Sequence, residues 1–151
     1  MNRVNAIYCN KEYRKLLDII ADKEADREFC RHGLGHLLDV ARIAAIIAAD
    51  SNMDIKRDII YAAALMHDTG RAISDSNHAK ESARVCLSIL PECGYSEDET
   101  DLIADAVANH SGGGDGLAEI LFKADKLSRI CCECAVSDKC KWDKINTEIT
   151  L

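Results

Sequence analysis

Between Ile59 and Met66 the chain has no polar face, and this apolar run stops abruptly at His67 and Asp68, with Gly70 just beyond. A segment apolar on all sides is buried on most of them. One explanation is ordinary: a helix ends there, Gly70 sits near its C-cap, and the helix dipole favours His67 in the last turn. The other is that two metal-capable side chains have been delivered to a place where water is scarce. The rest of the chain decides between them.

A chain of 151 residues is most simply one domain spanning 1–151, long enough to bury a substantial core. Hydrophobic residues at 48% and charged residues at 30% give a globular balance, and the single proline with few β-branched runs argues for helices. The net charge of −7 argues against a nucleic-acid partner, whose backbone needs a basic face. A small anionic substrate stays open, because a local site can oppose the global charge. No apolar run reaches membrane-spanning length and the N-terminus lacks a secretory signal, so the expected location is cytoplasmic, with no membrane partner. In that compartment the eight cysteines are expected reduced or metal-bound.

Helical periodicity predicts an all-α bundle of about six helices. Asn10 caps a first helix over 10–29, with Tyr13, Leu16, Leu17 and Ile20 on one face. A second starts near Gly33–Gly35 and runs to Ala49, its inward stripe reading His36, Val40, Ile43, Ile47. The third carries Ile59 to His67. A fourth follows caps at Asp75, Ser76 and Asn77, with His78, Ser82, Val85 and Ile89 in line and Pro91 beyond its end. Ser96 and Glu99 form a capping box opening a fifth, which aligns Ile103, Val107 and His110. The sixth runs from Leu117 to Cys132, aligning Leu117, Leu121 and Asp125. The core motif region is 30–132, and a tail covers 141–151.

Four of the five histidines, His36, His67, His78 and His110, thus sit at the inward face or end of four different helices. Each would need its own buried hydrogen-bond partner if it were ordinary core. Convergence with Asp68 and Asp125 on metal satisfies them together, and helical bundles commonly house such carboxylate–imidazole sites.

The order His36, His67–Asp68, His78, His110, Asp125 resembles the two-metal pattern of the HD-domain superfamily of metal-dependent phosphohydrolases, H…HD…H…H…D, as do the flanking His36-Leu-Leu-Asp-Val40 and Phe122-Lys-Ala-Asp125-Lys. The resemblance implies that His36, His67, Asp68 and Asp125 bind a first divalent metal, and that His78 and His110 hold a second with Asp68 bridging. Such donors suit Fe, Mn, Co or Zn, one or two per chain, and a metal-bound water would be the nucleophile. Asp68 and Arg71 are then the catalytic candidates. Arg71 lies four residues after His67, on its face if the helix continues, and a lysine at this position contacts phosphate in the cyclic-dinucleotide phosphodiesterases of the superfamily. Lys126 is a second phosphate candidate and Arg129 a further one.

The segment after His110, SGGGDGLAEI, lacks the second histidine, the glutamate and the GYP signature of those phosphodiesterases, and HDTGR lacks the downstream Glu-Asp pair of guanosine tetraphosphate hydrolases. A short domain with this ligand order is more similar to the small nucleotide hydrolases, including those that cleave diadenosine tetraphosphate. The implied partner is a small phosphorylated substrate such as a nucleotide, with a homodimer as a possible assembly. Two other readings share the ligand order: a di-iron oxygenase, as in myo-inositol oxygenase, and a non-catalytic metal- or nucleotide-sensing domain. Outside the pattern, Cys131, Cys134 and Cys140, with Cys30 or Cys9, offer the donors of a second, structural metal, although the spacing matches no standard ribbon or finger. His32, four residues before His36, reads as a helix-start residue without a catalytic role, or else as lining the entrance to the site.

Overall fold

In the computed structural model, which describes residues 2–140, the apolar run becomes a helix, Arg57–Met66, with neighbours all round. It is α4 of seven α-helices among the described residues: α1 (Asn2–Cys9), α2 (Lys11–Lys23), α3 (Leu34–Asp50), α4, α5 (His78–Glu92), α6 (Glu97–Asn109) and α7 (Leu117–Leu127). Three 3-10 turns, Thr69–Ala72, Cys131–Glu133 and Ser137–Lys139, complete the elements, and no strand occurs among the described residues. None of these helices is long and apolar enough to cross a membrane. The tail 141–151 lies outside the described residues.

α4 touches α1, α3, α5, α6 and α7, and Ile59, Ile60 and Ala62 to Met66 are all buried. Its three consecutive alanines let neighbouring backbones come close. The facing surface of α3 is also built small: Val40, Ala41, Ala44 and Ala48 are its deep residues beside Leu37, whereas Ile43 and Ile47, expected there from periodicity, are only half-buried. α5 and α6 form the broadest pair, and α7 closes against α3. The stripes Ser82–Val85–Ile89 on α5 and Ile103–Val107–His110 on α6 are buried as expected.

The caps explain several boundaries. Asn10 Oδ1 accepts from the amides of Glu12 and Tyr13, and Ser96 with Glu99 completes the capping box of α6. α2 does not reach Phe29. It stops at Lys23 because Glu24 turns back to bind His32, while Arg27 and Arg31 satisfy the carbonyls of Cys30, Ala25 and Arg27. Past Ile20 the segment has no apolar stripe to hold a helix on the bundle. α1 was not foreseen; eight residues with Val4 and Ile7 buried are too short to show a period. Pro91 falls inside the last turn of α5 rather than beyond it. α7 ends at Leu127, five residues before Cys132, where Ser128 folds its hydroxyl onto the Asp125 carbonyl.

Arg3 ties α1 to α4 and α6. Its guanidinium bonds Asp58 through Nε at 3.0 Å, pairs with Glu99, reaches the Gly94 carbonyl and lies 4.3 Å over the Tyr95 ring. Arg3, the Ser96 amide and Lys56 hold the Glu99 carboxyl down to about 2. A carboxylate depressed in the folded state stabilises it above the ordinary carboxylate range and loses that contribution as pH falls toward the folded value. Melting temperature should therefore fall more steeply between pH 5 and pH 2 in the wild type than in Glu99→Gln, as calorimetry across that window will read.

Candidate metal centre

α4 and α6 both end in the site, each with a histidine as its C-cap: His67 for α4 and His110 for α6. At each end the ring folds back one turn, His67 Nδ1–H donating to the Ala64 carbonyl at 2.7 Å and His110 Nδ1–H to the Val107 carbonyl at 2.6 Å. These bonds satisfy carbonyls that a helix end leaves open. The ordinary reading of His67 as a helix terminator is thus correct, and it is also what aims Nε2 inward. His78 begins α5 and donates from Nδ1 to the Asp75 carbonyl at 3.4 Å. His36, in the first turn of α3, has Nδ1 3.2 Å from Ser128 Oγ. That hydroxyl spends its proton on the Asp125 carbonyl at 2.8 Å, so it accepts from His36.

The partner of every Nδ1 is therefore an acceptor, which fixes the neutral tautomer with its lone pair on Nε2. All four of these Nε2 atoms face one carboxylate, and Asp68 divides them. Its Oδ2 lies 3.3 Å from His67 Nε2 and 3.7 Å from His36 Nε2. Its Oδ1 lies 3.5 Å from His78 Nε2 and 3.9 Å from His110 Nε2. The donor atoms of His36, His67 and Asp68 lie within 4.8 Å of one another, as do those of Asp68, His78 and His110. Asp125 Oδ1 stands beside the first group, 3.5 Å from His36 Nε2, without belonging to it.

Lone pairs converging on a carboxylate repel unless a cation or protons lie between them. The Nε2 atoms of His36 and His67 are buried without a hydrogen-bond partner, a costly state for a polar atom. The donor set fits a divalent transition metal. The electrostatics agree. Burial opposes charge on Asp68, yet His67, His36 and Arg71 hold its carboxyl well below the usual range. Burial likewise opposes a proton on His67, but Asp68 beside it wins and raises that pKa, so the field at this point favours a cation. His110, further out of the carboxylate's field, is pushed by burial and by His67 down to about 4.

Arg71 reaches the site differently from expectation. The helix does not continue past Met66; the chain tightens into the turn Thr69–Ala72, and Arg71 Nε bonds Asp68 Oδ1 at 2.7 Å. The guanidinium thus shares an oxygen with His78 and His110, and its Nη2 lies 3.5 Å from His78 Nε2. Lys23 pins this turn by donating to the Arg71 carbonyl. Lys126 and Arg129 both lie on Asp125 Oδ2, at 2.7 and 3.5 Å, on the side away from His36.

Sequence reasoning missed Ser128, Ser111 and Glu24. Ser111 Oγ lies 3.3 Å from His110 Nε2 and 3.5 Å from His78 Nε2. Ser128 had a usable signal, standing one helical turn after Asp125. The cysteines of the sequence reading divide between Cys30, before α3, and Cys131, Cys134 and Cys140 in the turns after α7, with Cys9 exposed at the end of α1. Among the described residues, the groups whose donor atoms converge within 4.8 Å are the two around Asp68, and no cysteine belongs to them. Burial pushes the Cys30 thiol up, with Arg129 opposing.

The family model described as HD domain matches residues 33–130. A Clostridium beijerinckii protein described as uncharacterized is 36% identical over 146 residues, covering 94% of this chain and 93% of the relative. Ribonuclease Y of Listeria monocytogenes is 27% identical over 116 residues, 75% of this chain, and that of Acetivibrio thermocellus is 28% identical over 98 residues, 63% of this chain. The matches span only 21% and 17% of those two ribonucleases. No solved structure matches the chain significantly.

Proposed function

The chain belongs to the HD domain family, a superfamily of metal-dependent phosphohydrolases, and on that premise we propose that it hydrolyses a phosphoester or phosphoanhydride of a nucleotide or similar small molecule. The observation that carries this reading is the division of Asp68, one oxygen toward His36 and His67 and the other toward His78 and His110, with buried Nε2 atoms left unpartnered. His36, His67, Asp68 and Asp125 would hold one divalent metal, and Asp68, His78 and His110 a second. Bound there, such ions supply a hydroxide near neutral pH and polarise a phosphoryl oxygen.

The protein's own groups do the rest. Asp68 holds both donor sets in register, and the histidines and Arg71 around it keep it ionised against its burial. Lys126 and Arg129 anchor Asp125 from behind, so its Oδ1 stays turned to His36. Arg71 is the cation facing the Oδ1 side, and its planar fork suits a phosphate bidentately. Lys126, whose cation also lies 5.2 Å over the Phe122 ring, is the secondary phosphate candidate. The net charge of −7 favours a small substrate over a nucleic-acid chain, so the activity named for the ribonuclease Y relatives is not carried over.

Chelated protein should release phosphate or a nucleoside monophosphate from a nucleotide panel once Mn, Fe, Co or Zn is restored. Cleavage of an RNA oligonucleotide alone, or oxygen consumption with iron and no hydrolysis, would replace this reading. Arg71→Ala should raise KM or lower kcat/KM by about 10- to 100-fold, the equivalent of losing a charged hydrogen bond. Metal content should stay near the wild-type level in that variant, read by elemental analysis alongside steady-state kinetics.

A further inference from the structure

His32 belongs to no part of the six-residue pattern, and it lies in the irregular segment between α2 and α3. Even so, it is buried. Its Nδ1 lies 2.5 Å from Glu24 Oε1, and Glu24 Oε2 also accepts the His32 backbone amide at 2.7 Å. Two bonds from one carboxylate fix both the ring and the backbone that carries it. Glu24 is itself buried, an expensive position for a carboxylate used only as a helix stop. The ring's other nitrogen points inward, with Nε2 3.9 Å from Asp68 Oδ2, the oxygen that His36 and His67 face. The His32 and His36 rings stand edge to face, 5.4 Å between centroids.

His32 therefore repeats the arrangement of the other four histidines: Nδ1 on an acceptor outside the site, Nε2 toward Asp68. A carboxylate backing an imidazole in this way is a recurrent device for orienting a metal ligand and strengthening its basicity. We propose that His32, oriented by Glu24, is a third imidazole ligand to the metal on the Oδ2 side of Asp68. The inference rests on the metal-binding reading above and deepens it. His32 Nε2 and Asp125 Oδ1 stand outside the 4.8 Å group of His36, His67 and Asp68, so both would close on an ion held there, and the Oδ2 side would then offer three nitrogens and two oxygens against one oxygen and two nitrogens on the Oδ1 side. A donor set of that size would suit Mn, Fe(II) or Co(II) better than four-coordinate Zn.

The test is a Co(II) and Mn(II) titration of the chelated full chain, comparing wild type with His32→Gln, Glu24→Gln and His36→Ala by calorimetry and by the Co(II) absorption spectrum. His32→Gln should bind the first equivalent at least about tenfold more weakly, with a spectrum shifted toward lower coordination; Glu24→Gln should weaken it by about 10- to 100-fold as loss of an outer partner does. Unchanged affinity and spectrum in His32→Gln, alongside metal loss in His36→Ala, would overturn the role of His32 and leave the metal centre standing. A wild type that binds neither ion would overturn both. X-ray absorption of wild-type protein carrying one Co(II) needs no variant: three imidazoles around the ion are expected, and two would refute the assignment.

Discussion

Asp68→Asn is expected to lose both metals and to cut turnover by at least about a thousandfold, roughly 4 kcal/mol of barrier. The reason lies in how one carboxylate serves two donor sets. Oδ2 faces His36 and His67, Oδ1 faces His78 and His110, and each set offers imidazoles alone without it, apart from Asp125 on the first. An amide keeps the size of the side chain and still accepts from Arg71 through its oxygen, so the fold need not change. What it loses is the negative charge that lets a cation sit among five histidines. The pattern across variants is more telling than the single loss. His36→Ala should forfeit one equivalent of metal and His110→Ala the other, while Asp68→Asn forfeits both, as measured by elemental analysis after reconstitution. Two metals and full phosphatase turnover in Asp68→Asn would end the bridging reading.

Much of this centre was legible in the sequence because helical period carries direction. Val107 and His110 share a stripe, as do Leu121 and Asp125, so their inward aim follows from apolar neighbours three or four positions away. What period could not see lies between the helices. Glu24 and His32 are eight residues apart in a segment with no repeat, and their pairing depends on the chain turning back at Lys23. Arg71 meets Asp68 rather than the face of His67 because the chain tightens into a 3-10 turn, a change of pitch that composition does not announce. Small residues misled in another way. Periodicity weights Ile43 and Ile47 as the buried face of α3, but contact with the alanines of α4 needs Ala41, Ala44 and Ala48 there.

The same limit applies to Gly70, which looked like a helix C-cap and is instead a point of close approach. Its backbone is not in the left-handed region, so no conformational freedom unique to glycine is being used. A Cβ at this position would fall 2.1 Å from the His78 carbonyl oxygen and 2.4 Å from the Ser82 amide, both backbone atoms of α5. Neither can swing aside as a flexible side chain could. The Gly70 amide also donates to the buried Ser82 hydroxyl at 2.8 Å, a bond that any separation would stretch. Gly70→Ala must therefore push the Thr69–Ala72 turn off the start of α5, at a cost at or above the upper end of about 1–3 kcal/mol for overpacking. For a chain of this size that is a fall of about 6–12 °C in melting temperature. The displaced groups are specific: His78 begins α5 and Arg71 follows Gly70, and both serve Oδ1 of Asp68. His36, His67 and Asp125 lie on the other side and do not depend on that contact. Folded Gly70→Ala should accordingly lose affinity for the metal on the His78–His110 side first, while the metal on the His36–His67 side persists. Calorimetric melting with a stepwise Co(II) titration reads both effects, and a variant melting within about 2 °C of wild type with both metals bound would show that the approach of Gly70 to α5 is not what holds the turn.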